Sequence, residues 1–318
     1  MIVSVIVAAG LLAAPLTPAV PDARASAAPA PRYREYVALG DSWSAAVTLT
    51  HISTGHAPAG CLQATYNYPR QVAKALGVSV FRDATCGGAT TAHLTAPQRV
   101  TRLPKILDGV NPPQFSRLTP TTDLVTLGMG GNDAGLAAAA MSCVNLLPTI
   151  TVAPGVVPPR PLGAPCKAKW VTAAGDRMSR NILETAPKVA AAIDGIRRRS
   201  PHATILLVDY LAALPPVGGC YPYVQVTDLD MDWLGDKLEE LNAMLAGVAK
   251  AKGVRLVDTY RTSFGHDVCR PRGVRWVEGL VPVTTDPIGL IVPFHPNRLG
   301  ADHQARSVLR VLNEQSQL

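Results

Sequence analysis

Short apolar runs that end in glycine-rich polar turns are the feature that most constrains the fold of this chain. Residues 36–39 lead into Gly40-Asp41-Ser42, and residues 123–127 lead into Gly128-Met129-Gly130-Gly131. Three similar runs lie at residues 78–81, 205–208 and 254–257. Runs this short and this apolar are typical of strands that are buried on both faces of a sheet.

Stretches with helical periodicity separate these runs. Helices are predicted over residues 68–76, 182–196 and 234–245, and a last helix after Pro296. Alternating buried strands and amphipathic helices indicate a mainly parallel sheet that is covered on both faces. The predicted fold class is therefore α/β, as a three-layer α/β/α sandwich.

The amino-terminal segment has the pattern of a signal peptide. Residues 2–14 are apolar, Asp22 is the first charged residue, and Ala25-Ser26-Ala27 offers a small-residue cleavage site. Prolines shorten the apolar run below the roughly 20 residues of a spanning helix, which disfavours a membrane anchor. No Lys or Arg precedes the run, although signal peptides usually carry one. We predict a signal peptide over residues 1–27, a single domain over 28–318, and a secreted or envelope-associated protein.

The formal net charge of +7 is spread along the chain. The densest basic run, Arg197-Arg198-Arg199, ends a predicted helix, where positive charge suits the helix dipole. No recognition-helix, zinc-finger or aromatic RNA-binding signature accompanies the charge, so nucleic acid is not a predicted partner. Peripheral attraction to anionic surfaces of the cell envelope fits the charge better.

The cysteine content favours disulfides. An even number of cysteines in an exported chain is typical of disulfide bonding, and none of the spacings fits a zinc knuckle, so no metal is predicted. The six residues are Cys61, Cys86, Cys143, Cys166, Cys220 and Cys269. Six cysteines allow fifteen pairings, and their positions alone do not choose among them. A proline-rich segment over residues 147–166 is interpreted as an excursion loop, either a lid over substrate or a plain surface loop.

Candidate functional residues follow the predicted strands. In open parallel sheets the site lies beyond the carboxyl ends of the strands, where this chain offers Ser42, Gly88 and Asn132. A serine hydroxyl needs a base to become a nucleophile, and His295, just before the last helix, is the best-placed histidine. The other histidines lie in polar loops or, like His303, are expected at the surface.

Four blocks in order give the chain its resemblance to a known family. The blocks are Ala38-Leu39-Gly40-Asp41-Ser42, Thr85-Cys86-Gly87-Gly88, Gly130-Gly131-Asn132-Asp133 and His295-Pro296-Asn297. They resemble those of the SGNH, or GDSL-type, serine hydrolases, especially secreted actinobacterial esterases and lipases. The resemblance implies a flavodoxin-like form of the sandwich and an enzyme that needs no cofactor.

The resemblance also implies roles for individual residues. Ser42 would be the nucleophile and His295 the base. An oxyanion hole would combine the backbone amides of Ser42 and Gly88 with the side-chain amide of Asn132. It further implies the disulfides Cys61–Cys86, Cys143–Cys166 and Cys220–Cys269. Asp41 and Asp133 are expected to hold the glycine-rich turns through hydrogen bonds to the backbone.

Two positions depart from the family pattern. Val292 stands three residues before His295, where members with a full triad have Asp. We therefore predict a Ser42–His295 dyad that is oriented by the backbone carbonyl of Val292, with Asp286 as the alternative partner. Trp43 follows the serine where relatives commonly have a smaller aromatic residue, and it is a candidate wall of the substrate pocket.

The sequence thus predicts a secreted, monomeric carboxylic ester hydrolase that works through an acyl-enzyme. The apolar stretch over residues 280–294 slightly favours an acyl-chain pocket, and therefore a lipid or short-chain acyl ester as substrate. The alternatives are a carbohydrate acetyl esterase, a phospholipase of the same family, and a non-catalytic binding module on the hydrolase scaffold.

Overall fold

The predicted apolar strands form one parallel sheet at the centre of the molecule. The computed structural model describes residues 32–102, 104–145 and 166–314. Its strands in chain order are β1 (Glu35–Gly40), β2 (Val80–Asp83), β3 (Gln98–Val100), β4 (Gly109–Asn111), β5 (Leu124–Gly128), β6 (Val171–Thr172), β7 (Gly175–Asp176), β8 (Thr204–Val208), β9 (Arg255–Val257), β10 (Val283–Thr285) and β11 (Ile288–Leu290). The central sheet has the spatial order β2-β1-β5-β8-β9, with every neighbouring pair parallel.

Helices connect and cover these strands. They are α1 (Ser42–Ala45), α2 (Tyr68–Leu76), α3 (Gly131–Ala134), α4 (Leu136–Ser142), α5 (Lys167–Trp170), α6 (Arg177–Arg199), α7 (Asp228–Lys252) and α8 (Arg298–Glu314). Helix α2 coincides with the predicted helix over residues 68–76. It ends at Gly77, whose φ of 61° closes the last turn, and the amide of Val78 still bonds back to Ala73. Strand β2 therefore begins at Val80, two residues later than predicted.

The core confirms the three-layer sandwich. Successive residues of a strand point to opposite faces of the sheet, so Tyr36 and Ala38 of β1 pack with α2 and α8. Val37 and Leu39 of the same strand pack with α6 and α7 on the other face. All four side chains are fully buried. Because both faces are covered, the inner strands β1, β5 and β8 are mainly apolar, in agreement with the pattern seen in the sequence.

The strand order determines where a ligand site can form. The order across the sheet matches the flavodoxin-like arrangement, whose crevice lies between the first strand and the neighbour on its inner side. Here those strands are β1 and β5, which pair from Tyr36–Leu124 to Gly40–Gly128. Their connections lead to helices on opposite faces, and this leaves a crevice beyond Gly40 and Gly128.

The described residues lie within one compact unit, and the predicted domain start at residue 28 remains a prediction. The predicted signal peptide over residues 1–27 and most of the proline-rich excursion lie outside the described residues. Three short antiparallel hairpins, β3–β4, β6–β7 and β10–β11, are additions to the predicted elements. Within the described ranges, no helix combines the length and apolar character that a membrane crossing requires.

Candidate active site

Ser42 lies at the carboxyl end of β1, as the first residue of α1. Asp41 caps this short helix, and its Oδ1 accepts a hydrogen bond of 2.9 Å from the amide of Trp43. The turn needs glycine at position 40, because a Cβ there would lie 2.5 Å from Oγ of Ser44 and 2.8 Å from the carbonyl oxygen of Gly128. Gly40 therefore allows the turn that carries Ser42 to pack closely against β5.

His295 lies directly against Ser42. Its Nε2 is 2.8 Å from Oγ of Ser42, and its Nδ1 is 2.8 Å from the carbonyl oxygen of Pro293. A carbonyl only accepts, so Nδ1 carries the hydrogen and Nε2 is the lone-pair nitrogen that accepts from the serine hydroxyl. This is the tautomer that a general base needs.

The orienting carbonyl differs from the predicted one. The sequence predicts Val292, whereas the 2.8 Å hydrogen bond goes to Pro293. The left-handed backbone of Phe294 (φ 60°) turns the chain so tightly that the carbonyl two residues before His295 meets its ring. The carbonyl of Val292 also raises the pKa of the His295 imidazole, less than the carbonyl of Pro293 does. The alternative partner, Asp286, is exposed in the turn between β10 and β11.

A buried ion pair holds the His295 loop in place. The amide of Phe294 donates to the carbonyl of Glu278 at 2.7 Å, and the amide of Glu278 donates to the carbonyl of His295 at 3.0 Å. Both Arg275 and Glu278 are about 2% exposed and form an ion pair. Asn297 adds a hydrogen bond of 2.8 Å from its Nδ2 to Oε1 of Glu278. The backbone on both sides of the histidine is therefore tied to one charged pair.

Burial controls the protonation of the histidine. Desolvation lowers the pKa of His295 to about 4, and the backbone carbonyls of Pro293 and Val292 offset only part of that effect. Among the described residues, backbone carbonyls and not carboxylates oppose the effect of burial on this pKa. The imidazole is therefore neutral at pH 7, in the form that accepts a proton.

The three predicted oxyanion donors come from neighbouring turns. Asn132 begins α3 as its second residue, and its Nδ2 donates to the carbonyl of Ala89 at 2.9 Å, which ties it to the turn of Gly88. Each amide nitrogen of Asn carries two hydrogens, so one remains for a substrate. In the described part of the chain, the backbone amides of Ser42 and Gly88 donate to no protein acceptor. Gly88 is solvent-exposed and has a φ of 78°.

Tyr210 joins two of the motif turns, and the sequence analysis missed it. Its hydroxyl donates to Oδ2 of Asp41 at 2.6 Å and accepts from the amide of Gly131 at 2.7 Å. Burial raises the pKa of Asp41 to about 7, and the Tyr210 hydrogen bond opposes that rise. Tyr210 follows β8 by two residues, so the rule that polar residues after strands build the site could have identified it.

The second motif aspartate also holds a turn. Oδ2 of Asp133 accepts from the amide of Thr91 at 2.9 Å, and Oδ1 accepts from the Thr91 hydroxyl at 2.5 Å. These bonds connect the turn after β5 with the segment that follows Gly88. The contacts of Asp41 and Asp133 are those expected of residues that hold turns.

A deep apolar cavity opens beside Ser42 and His295. Its volume is about 270 Å³, and apolar side chains dominate its walls: Leu136, Ala140, Leu214, Leu234, Leu238 and Phe294. Trp43 also lines it, edge-on to Tyr210 with ring centroids 5.3 Å apart. Of the apolar stretch over residues 280–294, only the last three residues reach the cavity. Residues 283–290 form the β10–β11 hairpin, where Ile288 is 80% exposed, so that part of the pocket expectation is wrong.

All six cysteines are paired as the resemblance implies: Cys61–Cys86, Cys143–Cys166 and Cys220–Cys269. The first disulfide joins the turn before Gly88 to the segment after α1. In the described ranges, the cluster with metal-like ligand spacing is Cys143, Cys166 and Asp230. Its two sulfurs form a disulfide, and Asp230 instead accepts from the amide of Cys166 at 2.8 Å, so this cluster offers no thiolate.

One histidine expectation is wrong. His303 is only 8% exposed, rather than a surface residue. Its ring stacks on Trp276, with centroids 4.3 Å apart, and His266 stacks on the same indole. The residue lies on the buried face of α8, which the periodicity of that helix could have shown. Neither ring contacts Ser42, and His295 is the histidine at the serine.

Comparison with known proteins identifies the family. A model of the GDSL-like lipase/acylhydrolase family matches residues 38–303, a range that contains Ser42, Gly88, Asn132 and His295. The chain belongs to this family. It is therefore a serine ester hydrolase, and the predictions of family, fold and reaction class are confirmed.

Relatives agree over nearly the whole chain. "Lipase 2" of Streptomyces coelicolor is 33% identical over 311 residues, 96% of this chain and 95% of that protein. A lipase of Streptomyces rimosus is 29% identical and covers 94% of each chain. Among solved structures, phospholipase A1 from Streptomyces albidoflavus has a TM-score of 0.64 at 24% identity, covering 89% of this GDSL-family chain and 99% of its own. That likeness supports the fold.

Proposed function

We propose that this protein is a secreted hydrolase of aliphatic acyl esters, with Ser42 as nucleophile and His295 as general base. The observation that carries the proposal is the 2.8 Å contact between Oγ of Ser42 and the lone-pair nitrogen of His295. The pair opens onto an apolar cavity. A hydroxyl that donates to a neutral imidazole beside such a cavity is the arrangement that acyl transfer requires.

The first half of the reaction forms an acyl-enzyme. Nε2 of His295 takes the hydroxyl proton while Oγ of Ser42 bonds to the ester carbonyl carbon, and the π electrons of the carbonyl move onto its oxygen. The amides of Ser42 and Gly88 and the side chain of Asn132 stabilise that oxyanion. When the intermediate collapses, the bond to the alcohol oxygen breaks, and the leaving alkoxide takes the proton from His295.

The second half uses water in place of serine. His295 accepts a proton from water as the water oxygen attacks the acyl carbon. When the tetrahedral intermediate collapses, the bond to Oγ of Ser42 breaks, Oγ takes the proton back from His295, and the free acid leaves. Throughout, the Nδ1–H of His295 donates to the carbonyl of Pro293, which keeps Nε2 aimed at the reacting oxygens. In this proposal a backbone carbonyl replaces the carboxylate of a full triad.

The cavity supports an aliphatic acyl chain as the substrate group. Leucine, alanine and phenylalanine side chains line it, and these pack against methylene groups but offer a sugar few hydrogen-bond partners. Relatives with the names lipase and phospholipase A1 agree with a lipid ester. We therefore favour an acyl ester of a lipid over an acetylated carbohydrate.

Secretion is the proposed location. Disulfides persist in oxidising compartments, and all six cysteines are paired. The predicted signal peptide and the solved "extracelular lipase" of Streptomyces rimosus agree with export. The net charge of +7 suits peripheral attraction to anionic envelope surfaces. Ser42 and His295 come from one chain, so we propose that a monomer is sufficient.

Labelling with a serine-reactive fluorophosphonate tests the proposal. The folded protein should incorporate one probe molecule, and peptide mapping should locate it on Ser42. Ser42→Ala should abolish labelling. Ser44→Ala is the matched control, because Ser44 is buried two residues away and donates to the carbonyl of Gly128 at 3.3 Å. Folded protein that is not labelled would instead support the binding-module alternative.

A further inference from the structure

We propose that Gln98 and Arg102 are positioning residues that aim the backbone N–H of Gly88 at the oxyanion. The carbonyl oxygen of Gly87 accepts two hydrogen bonds, 2.9 Å from Nε2 of Gln98 and 3.1 Å from Nη2 of Arg102. This inference rests on the proposed function, in which the Gly88 amide is an oxyanion donor. It adds residues outside the four motif blocks.

Peptide geometry links the two ends of this arrangement. The carbonyl of Gly87 and the N–H of Gly88 belong to one planar trans peptide, so they point in opposite directions. Fixing the carbonyl toward Gln98 and Arg102 therefore directs the N–H away from both of them. Gly88 itself is exposed, and the carbonyl of the following residue, Ala89, accepts a hydrogen bond of 2.9 Å from Nδ2 of Asn132.

This peptide needs external support. Two glycines flank it, so no side chain of its own resists rotation, and Gly88 has a φ of 78°. A rotated peptide would present the carbonyl oxygen of Gly87 to the developing oxyanion and would repel it. The backbone amides on either side of Gly88 already have protein acceptors. The amide of Gly87 donates to the carbonyl of Cys61 at 2.9 Å, and the amide of Ala89 donates to the carbonyl of Cys86 at 3.1 Å.

The two donor side chains differ in burial and in charge. Gln98 is 6% exposed on β3, so its side-chain amide donates to the Gly87 carbonyl away from solvent. Arg102 is half-buried and brings a positive charge to the carbonyl oxygen. A cation at the oxygen polarises the whole peptide, which makes the N–H of Gly88 a stronger donor. Gln98 thus fixes the direction of the N–H, and Arg102 both fixes and strengthens it.

Methionine substitutions test the inference. Gln98→Met and Arg102→Met remove the donors and keep the length of the side chain, and Arg102→Lys keeps a cationic donor. Arg99→Met is the matched control, because Arg99 is an exposed residue of the same strand. The measurements are kcat and KM on nitrophenyl butyrate, the inhibition constant of butylboronic acid, and Tm. Butylboronic acid forms a tetrahedral adduct with the serine, and its oxygen occupies the oxyanion position.

Each methionine variant at Gln98 and Arg102 should lower kcat about 10- to 100-fold and leave KM within about twofold. That loss is smaller than the roughly 10²- to 10³-fold cost of removing an oxyanion donor itself. The inhibition constant of butylboronic acid should rise by the same factor as kcat falls. Arg102→Lys should recover part of kcat, and Arg99→Met should behave like the parent enzyme.

Other results would overturn the inference. Unchanged kcat in both methionine variants would show that the Gly88 amide needs no such support. A raised KM with unchanged kcat, or a kcat loss without weaker boronic acid binding, would assign these residues to substrate binding or to folding. Failure of the proposed function is distinct, because the parent enzyme itself would then neither cleave the ester nor bind the boronic acid.

Discussion

Nδ1 of His295 lies 2.8 Å from the carbonyl oxygen of Pro293, only two residues before it in the chain. A neutral acceptor can fix the tautomer of the imidazole as a carboxylate does, but it adds no negative charge that would favour the imidazolium. Desolvation therefore determines the titration of this histidine and lowers its pKa to about 4. This has a direct consequence for the pH dependence of the enzyme.

The activity should persist in mild acid. The base works in its neutral form, and a lowered pKa keeps it neutral until the pH falls through the folded value of about 4. The acid limb of kcat/KM should have its midpoint near pH 4, rather than near the ordinary histidine pKa of about 6.5. Rates on a soluble nitrophenyl ester between pH 3.5 and 8 measure it. A midpoint near 6.5 would contradict the dominant effect of burial.

Asp286 should have no part in catalysis. It is exposed in the turn of the β10–β11 hairpin, and the Nδ1 hydrogen of His295 is already donated to Pro293. Asp286→Asn should therefore leave kcat and KM within about twofold of the parent values, as surface changes away from a site usually do. Steady-state kinetics on the same ester decide the question. A drop of more than tenfold in kcat would restore the carboxylate triad.

Ala140 should limit the length of the acyl chain. It lies on α4 and lines the cavity, so Ala140→Phe should fill space that a long chain would occupy. We expect kcat/KM to fall about tenfold or more for octanoate and longer esters, and to change little for acetate. Ala138 is an exposed residue of the same helix, and Ala138→Phe is the matched control. Equal effects of Ala140→Phe on all chain lengths would place the acyl chain elsewhere.

The ion pair beneath the histidine loop should be important for stability. Glu278→Gln leaves the guanidinium of Arg275 buried without its counter-charge, and breaking a buried pair costs about 3–5 kcal/mol. Urea unfolding should show a loss of that order in the free energy of unfolding. Glu314→Gln removes the exposed pair with Arg255 and should cost less than about 1 kcal/mol. Equal costs for the two variants would contradict the role of the buried pair.

Much of the fold could be predicted from the sequence, because burial on both faces makes the inner strands β1, β5 and β8 mainly apolar. The same logic located Ser42 and Asn132, which follow β1 and β5 directly. The backbone contact of the His295 ring could not be predicted in the same way. Whether the carbonyl of Val292 or that of Pro293 meets the ring depends on the φ of Phe294, a backbone detail that composition does not encode.

Contacts across the molecule were beyond sequence reasoning. The position of Tyr210 after β8 could have placed it near the site, but its pairing with Asp41, 169 positions away in the chain, has no local sequence signal. Gln98 lies in a three-residue strand with no motif, so its hydrogen bond to Gly87 is visible only in three dimensions. The apolar residues of the β10–β11 hairpin do not line the cavity for a related reason, because apolar character does not determine which face of a hairpin is covered.

Hydrolysis of nitrophenyl esters from acetate to palmitate by the mature protein and by Ser42→Ala tests the catalytic role of Ser42 most directly. We expect the parent to cleave the series, with a preference for aliphatic chains that fit the cavity, and Ser42→Ala to be inactive while its Tm is preserved. Hydrolysis by Ser42→Ala at the parent rate would contradict the central claim, and so would a folded parent that cleaves none of the esters.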